Sequence, residues 1–99
     1  MEKLVRDRIP EIIAADRGET PPSRVATEKE YRELLVGKLR EETAEYLESR
    51  QPEELADILE VVFALGRADG LSPEELENLR REKARARGGF EKRLAMDFP

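Results

Sequence analysis

The sequence predicts an all-α fold, on three observations. Two segments open with a hydroxyl residue and a Glu three positions later, Thr27 with Glu30 and Ser72 with Glu75, the spacing of a helix-opening capping box. Proline and glycine stand where helices start and stop, not inside them. No run alternates apolar and polar residues long enough to make a convincing strand.

In order along the chain, residues 3–8 (KLVRDR) mix basic and apolar side chains. Pro10 suits the first turn of a short helix that Gly18 ends. Thr20 to Ala26 holds two adjacent prolines and reads as a loop, extended near Arg24–Ala26. From Thr27 a long helix runs over about 28–50, with Tyr31, Leu35, Leu39, Tyr46 and Leu47 facing inward. Ser49 to Pro52 is a tight connection, and Pro52 starts a third helix that Gly70 closes. Ser72-Pro73-Glu74-Glu75 opens a fourth, which reaches about Arg87 before Gly88-Gly89 stop it. The tail FEKRLAMDFP reads as extended, with the loop near Arg24–Ala26 as a pairing partner. The chain forms one domain over 1–99, with neither an internal repeat nor a second domain.

Composition narrows the function. Of 99 residues, 38% are hydrophobic and 41% charged, so the core is thin and burial against a second subunit is expected. A net charge of −5 argues against nonspecific binding to nucleic acid or an anionic membrane, and fits a protein that holds divalent cations. Cysteine and histidine are both absent. That removes disulfides, thiol chemistry, the usual zinc sites, Glu-x-x-His di-iron sites and a Ser-His-Asp triad. A metal here is held by oxygen, which favours Mg²⁺ or Mn²⁺. There is no apolar signal run or membrane-spanning run, and a cytoplasmic location is expected.

The acids carry the signal. In PEELADILEVVFALGRAD, Ile58, Val61, Val62 and Leu65 form one apolar stripe. Glu54 falls inside that stripe and Asp57 on its edge, whereas Glu53 and Glu60 point outward. A buried carboxylate is costly unless something positive meets it, and no Lys or Arg on the inner face of this helix can do so. The preceding helix repeats the anomaly. With Leu39 as the centre of its apolar face, Glu42 lies about 60° to one side and Glu45 about 120°. Glu41 sits further round, and Glu48 points outward. In an antiparallel hairpin turning near residue 51, Glu45 and Asp57 lie at equal height, roughly 9 Å from the turn at ~1.5 Å per residue. Four carboxylates then converge on one volume, where like charges repel or hold protons unless one or two Mg²⁺ ions intervene. The competing reading is a set of solvated Glu residues on charge-rich helices.

The residues Glu41-Glu42-x-x-Glu45 and Glu54-x-x-Asp57 resemble the E-E-x-x-E … E-x-x-D signature of the MazG-like nucleoside triphosphate pyrophosphohydrolases. That all-α superfamily also contains dimeric dUTPases and phosphoribosyl-ATP pyrophosphohydrolases. KLVRDRIPEII at 3–13, EELADILEVVFAL at 53–65 and RARGGFEKR at 85–93 resemble its compact single-domain, phosphoribosyl-ATP pyrophosphohydrolase-like branch. The resemblance implies a helical bundle built on an antiparallel hairpin and completed by a second subunit, as a homodimer or homotetramer. It implies Mg²⁺-dependent hydrolysis of a nucleotide substrate to its monophosphate and pyrophosphate. It maps metal ligation onto Glu42, Glu45, Glu54 and Asp57, and gives Glu41 a supporting or water-positioning role. Only eight residues separate Glu45 from Glu54, fewer than in many members, which leaves the substrate open.

Phosphate would then be held by Lys38 beside the acids, by Lys83 and Arg87 one turn apart on the fourth helix, and by Arg6. Each has a plain alternative. Lys38 can pair with Glu42 at i, i+4. Lys83 and Arg87 can complement a helix C-terminus. Arg6 and Arg8 can pair with Asp7 or Glu11. The hydroxyls of Tyr31 and Tyr46 can meet a base, or the rings can simply pack. Gly88-Gly89 follows a helix and reads first as a cap. The basic run Arg80 to Arg93 is interleaved with Glu82 and Glu91 and lacks aromatic platforms, so it does not read as a nucleic-acid surface. A non-catalytic acidic helical module, for oligomerisation or partner binding, is the rival reading of the whole chain. A metal-sensing regulator is a third.

Overall fold

Four backbone punctuation marks set the architecture. Thr27 and Ser72 each accept a hydrogen bond from the backbone N–H three residues on, and the Glu30 and Glu75 carboxylates accept one from the Thr27 and Ser72 N–H. Gly18 and Gly70 take the left-handed conformation that lets a helix end. The computed structural model describes residues 2–99. They form α1 (Ile9–Arg17), α2 (Glu28–Ser49), α3 (Pro52–Ala68) and α4 (Pro73–Arg87), with no strand among them. Each helix lies within a residue or two of its sequence prediction. The tail after α4 is irregular and exposed, and no backbone hydrogen bond ties it to the loop near Arg24–Ala26. The expected pairing of those two segments is therefore absent, because neither has a covered face to hold it against the molecule.

The α3 terminus shows how local chemistry steers the chain. The Leu71 N–H reaches the Gly66 carbonyl at 2.8 Å and the Gly70 N–H reaches Arg67 at 3.0 Å, a Schellman closure. Gly66 is buried there, and a Cβ on it would stand 3.2 Å from the Leu76 side chain. The missing side chain thus lets the start of α4 fold against the end of α3. At the same end of the hairpin, Arg32 bonds Asp69 at 2.7 Å and also the Ala68 carbonyl, tying the start of α2 to the end of α3.

Helices α2 and α3 pack along each other, and α4 rests on α3 alone. Helix α1 packs against none of them. The molecule measures 54 × 32 × 26 Å, with a radius of gyration of 17.4 Å. A compact chain of this length would be near 13 Å, so this one is elongated. Among the described residues the buried apolar side chains are Leu35 and Val61 alone. Ile58, Val62 and Leu65 of the α3 stripe, with Tyr31, Leu39 and Tyr46 of α2, are half-buried. Leu47, expected to face inward, is 58% exposed. It lies about 140° round the helix from Glu42, which the seam does bury.

Helix α2 ends on an uncommon residue. Arg50 adopts φ +57° and donates its N–H to the Tyr46 carbonyl at 2.7 Å. A non-glycine side chain in that conformation is strained by roughly 1–2 kcal/mol. Replacing Arg50 by Gly removes the strain but adds backbone entropy to the unfolded chain. Arg50→Gly should therefore stabilise the fold by about 0.5 kcal/mol, a rise of roughly 2–4 °C in melting temperature.

Candidate metal centre

Leu35 and Glu42 are seven residues apart, so they lie on one face of α2 two turns from each other. That face is pressed onto α3: Leu35 is 2% exposed and Glu42 only 8%. Across the seam, α3 presents Glu54, Asp57 and Val61, which share a face by the same spacing. One carboxylate oxygen each from Glu42, Glu54 and Asp57 lies within 4.8 Å of the others. The group is oxygen-only, as the absence of His and Cys requires.

Charge around these acids is uneven. Lys38 Nζ stands 3.6 Å from Glu42 Oε1. Glu42 Oε2 is buried and has no hydrogen-bond partner among the described residues. Burial pushes the Glu42 carboxyl above its ordinary range. The neighbouring Glu45 and Asp57 carboxylates add to the rise, and Lys38 only partly offsets it. Arg6 Nη2, from the segment before α1, meets Asp57 Oδ1 at 2.6 Å. Glu54 has no ion-pair partner among the described residues. The inner face of α3 supplies no cation to these acids, but α2 and the N-terminal segment supply two, Lys38 and Arg6.

Glu41 sits beside the group and is fully engaged. Lys38 and Lys3 reach its two oxygens at 3.1 and 3.2 Å. These bonds hold its carboxyl below the ordinary range. Burial opposes the charge on Lys38, but Glu41 and Glu42 outweigh it and hold its ammonium above the usual value.

The acids open onto a cavity of about 570 Å³, within the range of small-ligand sites. Its apolar wall comes from Leu4, Val5, Ile9 and Ile12, with Tyr31 and Leu35 of α2 and Val61 and Ala64 of α3. Its cations are Arg6, Arg8, Lys38 and Arg67, and Glu42 and Asp57 stand in its lining. A divalent cation on the acids would lie beside a pocket able to hold both an apolar ring and an anionic group.

The structure sorts the sequence candidates. It joins Glu42, Glu54 and Asp57, and places Lys38, Arg6 and Glu41 next to them. It leaves Glu45 exposed: close enough to perturb Glu42, but outside the three-acid group. The buried line of α2 runs through Leu35 and Glu42, and Glu45 stands about 60° round the helix from it, on the exposed flank. Lys83 and Arg87 are exposed on α4, outside the cavity lining, because α4 touches only α3. Tyr31 lines the cavity and Tyr46 does not. Arg8 pairs with Glu11, as its alternative reading had it, at 2.5 Å. Glu53 is exposed and uninvolved. Glu60, also expected to point outward, is exposed but stands on the cavity rim. Sequence reading missed Arg67 and Lys3. Arg67 shares the helical face of Glu60 and Ala64, and treating that face as solvent hid all three.

No protein-family model matches the chain, and no solved structure matches it. The chain is similar to an uncharacterized protein of Mycolicibacterium smegmatis, 53% identical over 45 residues. That stretch is 46% of this chain and 45% of that protein, so the chain spans less than half the length of the curated relative it matches.

The state of Glu42 sets a pH dependence. Its folded carboxyl titrates above the ordinary value of 4.5, so between those two values the folded form holds more protons than the unfolded one. Its contribution to stability therefore falls as pH rises through that window, and the penalty persists at neutral pH. Glu42→Gln should raise stability at pH 7 by an amount of order 1 kcal/mol. The gain should shrink toward zero below pH 4.5, as followed by thermal melts across pH.

Proposed function

We propose that this chain is a Mg²⁺-dependent nucleotide pyrophosphohydrolase of the MazG-like kind, with Mn²⁺ as an alternative ion. It would cleave a nucleoside triphosphate or related nucleotide to a monophosphate and pyrophosphate, in a house-cleaning role. The observation that carries this reading is Glu42 Oε2: a buried carboxylate oxygen without a partner, inside a three-acid group that opens on a cation-lined pocket. A buried acceptor left unmet is costly, and a bound cation removes the cost. The donor set fits Mg²⁺ or Mn²⁺, both of which take carboxylate oxygen.

Glu42, Glu54 and Asp57 would hold the ion, with Glu45 reached by a side-chain rotation from the exposed flank. A metal bound there supplies Lewis-acid charge and a water of lowered pKa. The protein's own part is positioning. Lys38 and Arg6 stand where phosphate charge would be neutralised, and Tyr31 with the apolar wall offers a surface for the rest of the nucleotide. Glu41, locked by Lys3 and Lys38, keeps the Lys38 ammonium aimed at the acids. Lys83 and Arg87 are outside the lining of this pocket. A role for them there would come through a second subunit, and the thin core supports a homodimer or homotetramer. With exposed Val36, Leu55 and Leu59, that thin core also supports the rival reading of a non-catalytic interaction module.

A panel of nucleotides with Mg²⁺, scored for pyrophosphate release, tests the enzymatic reading. Turnover is expected on at least one of them, and none from folded protein would overturn it. Glu54→Gln should lower that turnover by at least a hundredfold while the fold persists, and Glu53→Gln should change it little. If Glu54→Gln unfolds the chain instead, the acid is structural. Millimolar Mg²⁺ should raise the melting temperature of the wild type by binding the folded form alone, and the interaction module predicts no shift.

A further inference from the structure

We propose that Arg6 is an internal counter-ion that occupies Asp57 until a divalent cation displaces it, and that the released guanidinium then takes the anionic end of the ligand. The inference rests on the metal-dependent reading above and adds a coupling between its two halves. Arg6 Nη2 lies 2.6 Å from Asp57 Oδ1, and Asp57 supplies one of the three converging oxygens. A positive group this close opposes a second cation on the same carboxylate. The two states therefore compete for Asp57.

Arg6 is built to leave. Its side chain is 56% exposed, so the pair is held by little more than a solvated ion pair. Its segment is irregular, and the Arg6 carbonyl does no more than accept the Ile9 N–H that opens α1. Arg6 also lines the cavity, so a small rotation carries the guanidinium from Asp57 into the pocket. Its neighbour Arg8 is tied to Glu11 at 2.5 Å and is less available. The planar guanidinium suits a phosphate, to which it can donate two parallel hydrogen bonds. Lys3 repeats the arrangement one step away, at 3.2 Å from Glu41. The N-terminal segment thus covers the acids with charge when no cation does. Cation binding converts Arg6 from a competitor into an anion ligand, which couples the two ligands positively.

The test measures Mn²⁺ binding without nucleotide, by calorimetry, and then pyrophosphate binding at saturating Mn²⁺. Arg6→Gln should tighten Mn²⁺ by about fivefold, the scale of an exposed ion pair. The same variant should weaken pyrophosphate on the Mn²⁺-loaded protein by tenfold or more. Opposite signs in one variant are the signature of the exchange. Arg6→Lys should fall between Arg6→Gln and wild type in both measurements. Arg80→Gln makes the same charge change on α4, where Arg80 pairs with Glu77, and should move neither constant. The proposal is overturned if Arg6→Gln leaves Mn²⁺ affinity unchanged or lowers it, or if Arg80→Gln tightens Mn²⁺ equally. If the wild type binds no Mn²⁺, the metal-dependent reading falls and this inference with it. Mn²⁺ binding that is indifferent to Arg6 overturns only the exchange.

Discussion

The line along which α2 lies against α3 governs the rest of the molecule. It is where the chain loses most water, and it is occupied by Leu35, Val61 and a carboxylate. A seam of leucines would have closed without further demands. Putting Glu42 two turns from Leu35 forces the opposite helix to answer it, and α3 answers with two more acids. The hairpin thereby concentrates negative charge at the place where solvent can do least to relieve it. Lys38 reaches one oxygen of Glu42 and leaves the other unmet. The cation-binding reading, the pocket and the position of the N-terminal segment all follow from that imbalance.

Charge, more than packing, holds the periphery. Arg6 reaches Asp57, and Lys3 reaches Glu41. Arg24 bridges Glu2 to Glu30 at the start of α2. Arg24 and the Thr27 cap together bring the Glu30 carboxyl down to about 2. Exposed pairs of this kind each contribute little and are screened by salt. A segment fastened in this way keeps its place and can still exchange partners. The same economy appears in the exposed apolar side chains, Leu55 and Leu59 on α3 and Phe90, Leu94 and Phe98 in the tail. A fold with so small a core in one copy gains from burying such surface elsewhere.

Much of this was legible in the residues alone, and the failures have a common cause. Capping boxes, Pro starts and Gly stops act through the local backbone, so Thr27, Ser72, Pro52 and Gly70 mark their helix ends without reference to anything distant. The i, i+3 and i, i+4 spacings likewise showed that Glu42, Glu54 and Asp57 turn toward a partner helix. A helical wheel has no fixed zero, however. Centring it on Leu39 instead of between Leu35 and Glu42 moved Leu47 inward on paper. Calling the Glu60 face solvent concealed Arg67 for the same reason. The tail failed differently. Its composition suits a strand, but a strand needs an edge to pair with, and no edge stands near it.

The sequence by itself determined four helices with their ends, an oxygen-only donor set, and the residue types available to meet an anion. Those properties depend on covalent chemistry and on neighbours within one turn. Tertiary structure decided which acids share a volume, which cations reach them, and that a pocket opens beside them. Each of those depends on the rotation of one helix about its axis and on where an irregular segment comes to rest. Arg6 shows the difference most clearly: its pairing with Asp57 spans 51 positions in the chain. A contact so distant in sequence leaves no local pattern, because burial and charge between whole segments select it.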